Sequence, residues 1–509
     1  MSLRVRRVRI VWAFVPAFFA ASAGLQAATF VVGSAGDASD SQPGDGVCET
    51  PLGCTLRAAI QEANALAGLD QVHFAIGSGT QTIRPASALP AITAPVVIDG
   101  TTQPGFTDRP LIVLDGSRAG GNGLLVTGGG STLRGLVIDG FSGNGIEVRN
   151  GGGNVIETCY VGRDATGDGG RGNGDNGILI ESSSDNRIGG PSKAQRNLVS
   201  GNTGKGNGGG IRLSGGGGNV VQGNFIGTDI TGMLDRGNEG RGISVASSSN
   251  NLIGGPAAGA GNLISGNRAT GVRLLGGASG NVVQGNFIGT DRTGQPVLKN
   301  DRGVQIRGSH QTRVLGNLIG GHVYDGVLIL DGSSDNAVEG NLIFYNGQGP
   351  LGDPAEQGWG GVFVITGTRN RILSNLIYGN TLLGINLGTD FNPTPNDPGD
   401  GDGGANGFQN FPVVTSAHSA GGVVTVNGTL NSTPGSSFIV QLFASPACDV
   451  LGYGEGLYPF GQTTVNTNGS GNASFSVSVA IALPAGWAIT GTATGPEGTS
   501  EFSTCTPLQ

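Results

Sequence analysis

Gly177-Ile178-Leu179-Ile180 is one of ten copies, between residues 123 and 387, of a glycine followed by an apolar–any–apolar triplet. Successive copies lie 22 to 35 residues apart, and self-similarity at such a period is typical of repeat architectures. The two apolar side chains of a triplet point the same way because strand side chains alternate. Glycine can supply a positive φ at the bend before each strand. The repeat therefore predicts an all-β fold, a right-handed parallel β-helix whose interior these triplets fill.

A second signature, Asn-x-[Val/Ile]-x-Gly-Asn, recurs in the same region, as in Asn219 to Asn224 and Asn281 to Asn286. Asparagine tolerates tight left-handed corners, and stacked asparagine side chains can hydrogen-bond along an axis. We therefore expect asparagine ladders along the tube. Cys159 stands where the other repeats have the second asparagine, so it is expected to be a buried structural thiol.

The first 27 residues have the pattern of a secretory signal peptide, with four arginines before an apolar run from Ile10 to Ala20. The formal net charge of −8 becomes about −12 when four arginines are removed, which argues against nucleic acid and anionic membranes as partners. No second apolar segment approaches membrane length, so no membrane insertion is expected. We predict a secreted or extracellular protein, with a periplasmic or surface-associated location as variants. The oligomeric state is not indicated.

Residues 28–120 precede the regular repeats and are expected to form an N-terminal cap and the first coils. The only amphipathic helix, predicted over 55–67, would cover the otherwise open end of the tube. Cys54-Thr55-Leu56-Arg57-Ala58-Ala59, after Gly44-Asp45-Gly46-Val47-Cys48, resembles the CSLREA domain of exported bacterial β-helix proteins. The chain departs from that pattern at Thr55 and at Ala58, where the family has Glu. The resemblance implies a pectate-lyase-like architecture and no particular activity.

The periodicity predicts the remaining domain boundaries. Repeats occupy 121–391, an Asp/Gly-rich linker spans 392–410, and 411–509 alternate as an all-β sandwich. We expect disulfides between Cys48 and Cys54 and between Cys448 and Cys505, because disulfides form in exported proteins.

The outward-facing residues of the repeated strand indicate whether an active site could lie on it. They offer two well-separated glutamates, Glu147 and Glu181, among four arginines. A glycosidase needs two carboxylates facing each other across the bond, and a calcium-dependent lyase needs several around the ion together with a base. An active site of these types on this strand is not expected.

The loops beside that strand are the remaining place for a site. The weak catalytic candidates are His322, Asp325, Asp353 and Glu356. Trp359 and Tyr324 are candidates for stacking on a sugar ring; alternatively, Trp359 packs on outward apolar side chains. Asp229 and Asp291, in repeated Thr-Asp-x-Thr-Gly loops, could contact a linear polymer about 10 Å apart or could simply cap their own turns.

Oxygen-bearing residues alternate with glycine in the linker. Asp397, Asp400, Asp402 and Asn406 suit Ca²⁺, a candidate cofactor, although a solvated linker has the same composition. No pattern for a nucleotide cofactor is present.

These observations lead to a hypothesis of an exported β-helix protein that binds an extracellular polysaccharide or a cell surface without catalysis. The alternative is a polysaccharide-active enzyme, a lyase, hydrolase or epimerase, with its site in the loops beside the β-helix. A structural spacer is the second alternative.

Overall fold

The computed structural model describes residues 27–204, 208–349 and 360–509. The predicted signal peptide, up to residue 26, lies outside these ranges. Three long parallel sheets dominate the described chain, and each coil contributes one strand to each sheet in turn. The predicted all-β fold, a right-handed parallel β-helix with a helical cap and C-terminal antiparallel sheets, is confirmed.

The sheets are labelled A, B and C in the order in which a coil visits them. Over the described ranges, sheet A has twelve strands: Thr29–Val32, Asp70–Phe74, Val96–Asp99, Thr132–Arg134, Val155–Glu157, Arg187–Gly189, Val220–Gln222, Leu252–Gly254, Val282–Gln284, Arg313–Leu315, Ala337–Glu339 and Arg371–Leu373. Sheet B has eleven in the same ranges: Gln81–Ile83, Ile112–Asp115, Leu136–Asp139, Tyr160–Val161, Leu198–Val199, Phe225–Ile226, Leu263–Ile264, Phe287–Ile288, Leu318–Gly320, Leu342–Phe344 and Leu376–Tyr378.

Sheet C consists of the repeated triplets. Its ten described strands are Leu124–Val126, Ile146–Arg149, Ile178–Glu181, Gly209–Ser214, Arg241–Ala246, Val272–Leu275, Val304–Arg307, Val327–Leu330, Val362–Val364 and Ile385–Leu387. Both apolar residues of each triplet are buried in the tube, in register with those of the next coil, as for Ile178 on Ile211. The middle residue of each triplet points outward.

The glycine before each triplet has a steric rather than a conformational role. Gly177 is not among the residues with positive φ. A Cβ built there would lie 2.5 Å from Val199 and 2.9 Å from the carbonyl oxygen of Gly210 in the next coil. Glycine is needed because the chain enters the strand in close contact with the neighbouring coil.

Asparagine ladders run along all three corners of the tube. Each rung accepts the backbone N–H and the side-chain amide of the rung before it, as Asn262 does from Asn224 at 3.0 Å for both bonds. The longest unbroken run of such rungs is Asn197, Asn224, Asn262, Asn286, Asn317, Asn341 and Asn375. Cys159 starts this run, buried as predicted, with its N–H donating to Asn197. Burial raises the pKa of its thiol to about 12.

The N-terminal end is covered by the helix Leu56–Ala65, which lies within the predicted segment. Thr55 caps it by accepting the Ala58 N–H, and the buried Glu62 accepts the N–H groups of Gly44 and Gly46. Cys48 and Cys54 form a disulfide in the loop that precedes the helix. The cap is therefore tied to the first coils by covalent and polar contacts as well as by its apolar face.

The C-terminal strands form two antiparallel sheets. The described strands are Val413–Ala420, Val423–Asn431 and Asn472–Ala480 in one, and Ser437–Ser445, Tyr458–Asn466, Ala488–Gly495, Gly498–Thr499 and Thr506–Pro507 in the other. Short 3₁₀ helices lie at Gly100–Thr102, Lys193–Gln195 and Ala405–Phe408. Cys448 and Cys505 form the second disulfide.

This C-terminal unit continues the hydrogen-bond network of the tube. Phe502 joins the hydrophobic core of the β-helix. Glu455 accepts the N–H and the side-chain amide of Asn380, the last rung of one ladder, at 3.1 and 3.2 Å. Glu501 accepts the N–H groups of Leu387 and Thr394. The unit therefore satisfies backbone and side-chain groups that the last coil would otherwise leave open.

A single ladder substitution tests how much these rungs stabilise the tube. Asn262→Ala leaves the buried Asn224 N–H without its partner, at a cost of about 1–3 kcal/mol. We expect a lower guanidinium midpoint, followed by circular dichroism. Asn466→Ala, an exposed asparagine in a C-terminal strand, is the matched control and should leave the midpoint unchanged; equal midpoints for the two variants would contradict the role of the ladder.

Candidate functional site

Arginines cluster on the outer face of sheet C, on four successive coils. We call this set the arginine face; it consists of Arg212, Arg241, Arg273, Arg302 and Arg307. Arg212 and Arg273 occupy the same outward row, each in register with Ser244 on the coil between them. They are therefore two strand spacings, about 10 Å, apart. Gln305 follows Arg273 in this row, and Arg307 lies in the neighbouring row.

The arginines of this face differ in how their charges are compensated: Arg302 pairs with Asp325 and Arg307 with Asp331. Within the described ranges, Arg212 and Arg273 make no ion pair, and the Nε atoms of both are buried without a hydrogen-bond partner. Burial together with Arg241, Arg307 and Arg302 lowers the pKa of Arg273 to about 10. Burial and Arg212 also lower the pKa of Arg241. Arg212 and Arg273 thus carry positive charge without an ion-pair partner in the described ranges, on a chain whose net charge is −8.

The face changes character at its two ends. Toward the N-terminus, Arg149 bridges Glu147 and Glu181, and Glu147 also accepts the side-chain amides of Asn122 and Asn144. Both glutamates are therefore held in structural contacts. Toward the C-terminus, the outward row becomes apolar and buried at Leu328 and Phe363.

Asp325 and Tyr324 lie at the C-terminal edge of the arginine face. The Asp325 side chain is fully buried and pairs with Arg302 at 3.3 Å. The guanidinium of Arg302 also lies 4.8 Å from the centre of the Tyr324 ring. Burial raises the pKa of Asp325 to about 7, against the opposing effect of Arg302. The structure therefore places two candidates selected from the sequence, Tyr324 and Asp325, beside the arginines.

His322 lies elsewhere, in the interior of the tube. It takes the place of an asparagine rung, and its backbone N–H donates to Asn346. Its ring is fully buried against Gly289 and Gly303, and burial lowers its pKa to about 4. An imidazole in this position cannot contact a polymer on the surface, so its role is structural.

The aspartates of the Thr-Asp-x-Thr-Gly loops are occupied by their own turns. Asp229 accepts the N–H groups of Thr231, Met233 and Leu234 as well as the Thr231 hydroxyl. Burial acts to raise the pKa of Asp229, but these hydrogen bonds lower it below the usual value. Asp291 has the corresponding bonds to Thr293 and Gln295. Both carboxylates are buried, which leaves them unavailable to a polymer.

Asp353, Glu356 and Trp359 lie outside the described residues. Of the four metal candidates, Asp397, Asp400 and Asp402 bring one carboxylate oxygen each within 4.8 Å of the others. The Oδ1 atom of Asp397 is buried without a partner. Burial and the neighbouring carboxylates raise the pKa values of Asp400 and Asp402 against the hydrogen bonds that Asp400 accepts. This donor set fits a hard divalent cation.

Asn406 is not part of that cluster. Its Oδ1 accepts the Asn370 N–H, and its Nδ2 donates to the carbonyl oxygens of Asn370 and Thr499. These bonds make it the last rung of an asparagine ladder, so its amide oxygen is turned into the tube and away from a metal.

Two members of the arginine face, Arg241 and Arg302, escape a sequence analysis that considers only the triplets. Both stand immediately before the glycine of a repeat, as Arg241-Gly242 and Arg302-Gly303. This corner position carries Asn144 and Asn176 in earlier coils. An alignment of the residue before each glycine would have placed the two arginines at one corner position, which also holds Asp325. In the part of the chain that is described, no helix is long and apolar enough to cross a bilayer.

Comparison with known proteins bears on the fold. A family model for a right-handed β-helix region matches residues 227–396. No curated protein is significantly similar to the chain. Among solved structures, the A-module of the mannuronan C-5 epimerase AlgE4 of Azotobacter vinelandii has a TM-score of 0.41 at 17% identity, covering 69% of this chain and 94% of that one.

Two further structures are of proteins whose functions differ from that of the epimerase. The pectate lyase Pel9A has a TM-score of 0.33 at 14% identity, covering 69% of this chain and 77% of its own. PfbA, a surface adhesin of Streptococcus pneumoniae, has a TM-score of 0.30 at 12% identity, covering 68% and 92%. At these values the similarities say nothing about activity. The chain is thus similar to right-handed β-helix proteins in fold, and its function has to be argued from its own residues.

Proposed function

We propose that this protein is exported and binds an acidic polysaccharide lengthwise along the arginine face, without cleaving it. The observation that carries the proposal is the register of Arg212 and Arg273, two coils apart and without acidic partners in the described ranges. The predicted signal peptide and the two disulfides favour an oxidising compartment outside the cytoplasm.

A linear polyanion suits this geometry better than a compact ligand. The arginines follow one another along the axis of the rod, so successive carboxylates of a polyuronate can each meet a guanidinium. The planar guanidinium binds a carboxylate with two parallel hydrogen bonds. Gln305, in the same row, offers a neutral hydrogen-bonding group beside the charges. The net charge of the whole chain is negative, which disfavours polyanion binding over most of the remaining surface.

Among the residues that the structure describes, the carboxylates of this face favour binding over cleavage. On the described part of this face, Glu147 and Glu181 are held by Arg149, and Asp331 pairs with Arg307 at 2.5 Å. Glycoside hydrolysis needs two carboxyl groups placed across the scissile bond, and these side chains do not provide them.

A polysaccharide-active enzyme remains the second candidate because of one residue. Asp325 has a pKa raised to about 7, which suits a general acid or base. Its neighbours Arg302 and Tyr324 are groups that could bind a uronate. Its complete burial opposes this role unless the surrounding loops open.

A charge-removal variant tests the proposed face. Arg273→Gln should weaken binding of the mature protein to a soluble polyuronate by about tenfold or more, since a hydrogen bond to a charged group is worth about 1.5–3 kcal/mol. Affinity should also fall as salt rises. The measurement is isothermal titration calorimetry with polygalacturonate and alginate, and with dextran as the neutral polymer.

The matched control is Arg313→Gln, an exposed arginine on sheet A that makes no ion pair in the described ranges. It should bind like the unmodified protein. Equal loss in both variants, or equal affinity for dextran, would contradict the proposal. The same samples, assayed for new reducing ends and unsaturated uronates, would support the enzyme if product accumulates and is lost in Asp325→Asn. A structural spacer would bind none of the polymers.

We propose further that Asp397, Asp400 and Asp402 hold a Ca²⁺ ion at the joint between the β-helix and the C-terminal unit. The partnerless Oδ1 of Asp397 and the mutual repulsion of the carboxylates support this. Asp400 already bonds Ser432 and the Asn410 N–H, so the ion would tie the segment to the sandwich.

Calcium titration tests this site. Asp402→Asn should weaken Ca²⁺ binding by about tenfold, because one negative charge opposite the cation is lost. Calorimetry at constant ionic strength measures the change, and calcium should raise the melting temperature of the unmodified protein more than that of Asp402→Asn. Glu239→Gln, at an exposed side chain outside the cluster, is the control. Calcium binding that is absent, or unchanged by Asp402→Asn, would rule out the site.

A further inference from the structure

A basic cavity lies on the outer face of sheet B, away from the arginine face. We call it the sheet-B pocket; it has a volume of about 240 Å³, and its polar lining includes Asp108, Arg109, Tyr160, Lys193, Arg196 and Arg292. These residues come from four separate segments of chain: the loop before Ile112–Asp115, the strand Tyr160–Val161, the segment around the 3₁₀ helix Lys193–Gln195, and a Thr-Asp-x-Thr-Gly loop. Residues far apart in sequence thus converge on one cavity.

The charge around the pocket is strongly unbalanced. Four cationic side chains face a single carboxylate, that of Asp108. None of the four, Arg109, Lys193, Arg196 and Arg292, is in an ion pair over residues 27–204, 208–349 and 360–509. Burial, and after it the charge of Arg292, lower the pKa of Arg196. Arg109, Lys193 and Arg292 are exposed and Arg196 is half-buried, so their combined positive field attracts an anion from solution.

Arg196 is held rigidly at the wall of this cavity. Its Nε donates to the carbonyl oxygen of Gly223 at 3.0 Å, and its guanidinium lies 4.0 Å above the centre of the Phe225 ring. These contacts fix the plane of the guanidinium and leave its two terminal nitrogens without a protein partner. A guanidinium already ordered in this way loses little entropy when it binds an anion.

Tyr160 adds a neutral donor to the same wall. Its ring is buried in a stack with Leu198 and Phe225 on the outside of sheet B, and its hydroxyl has no hydrogen-bond partner among the described residues. Burial raises its pKa to about 12. The phenol therefore keeps its proton at neutral pH and can donate it to a bound anion.

We propose that the sheet-B pocket binds a tetrahedral dianion, a phosphoryl or sulfuryl group carried by a small molecule or a substituted sugar. Four cations against one carboxylate leave an excess of about three positive charges, which a dianion offsets better than a single carboxylate does. Arginine and lysine donors together satisfy three or four oxygens of such a group. This site lies on a different sheet from the arginine face and does not depend on it.

Calorimetry with inorganic phosphate, inorganic sulfate and acetate tests the pocket. We expect phosphate and sulfate to bind more tightly than acetate, and Arg196→Gln to weaken the binding of both by about tenfold or more. Lys193→Gln and Arg292→Gln, at exposed side chains, should each weaken it as well, and we expect both variants to fold. Titration with glucose 6-phosphate and glucose 6-sulfate then distinguishes the two sources of the anion.

Arg273→Gln, which alters the arginine face, should leave phosphate and sulfate binding unchanged, so failure of one site is distinguishable from failure of the other. Absence of phosphate and sulfate binding to the unmodified protein would overturn the inference. So would binding that survives Arg196→Gln and Arg292→Gln together, or acetate binding as tight as that of the dianions.

Discussion

The fold depends on the hydrogen bonding of buried corners. A parallel β-helix turns three times per coil, and each turn breaks the strand ladder and leaves backbone N–H groups inside the molecule, where an unpaired group costs about 1–3 kcal/mol. Asparagine solves this problem because its amide oxygen accepts from one coil while its amide nitrogen donates to others, as in Asn224 and Asn262. The apolar triplets fill the tube, but the asparagines set its cross-section.

The need to pair these buried backbone groups also determines how the two ends of the tube are built. The C-terminal unit supplies Glu455 where a further rung would stand, and Asn406 closes a second ladder. The N-terminal helix and its disulfide cover the other end. A rod closed in this way keeps its strands in strict register, and register is what aligns Arg212 with Arg273 on the outer face. The side chains that we propose to bind the polysaccharide therefore lie on the outer face of the tube and not in its core.

The sequence is sufficient for the tube because one pattern, glycine and an alternating triplet, recurs ten times. It also predicts the buried Cys159. The repeat also explains why the sequence analysis wrongly selected His322 as a site residue. His322 follows Ile319 at the spacing at which Asn267 follows Ile264, so its position is that of a ladder residue. Asn406 escapes because its rung follows a segment without periodicity. The sheet-B pocket cannot be found from sequence, since its four segments meet only through stacking of the coils.

The most direct test of this account is a crystal structure of the mature protein with an oligouronate bound. We predict that the oligosaccharide lies parallel to the axis of the rod, with successive carboxylates on Arg212, Arg241 and Arg273 and with every glycosidic bond intact. An oligosaccharide across the rod, on another sheet, or cleaved beside Asp325 would contradict the central claim that the arginine face is a binding surface for an acidic polymer.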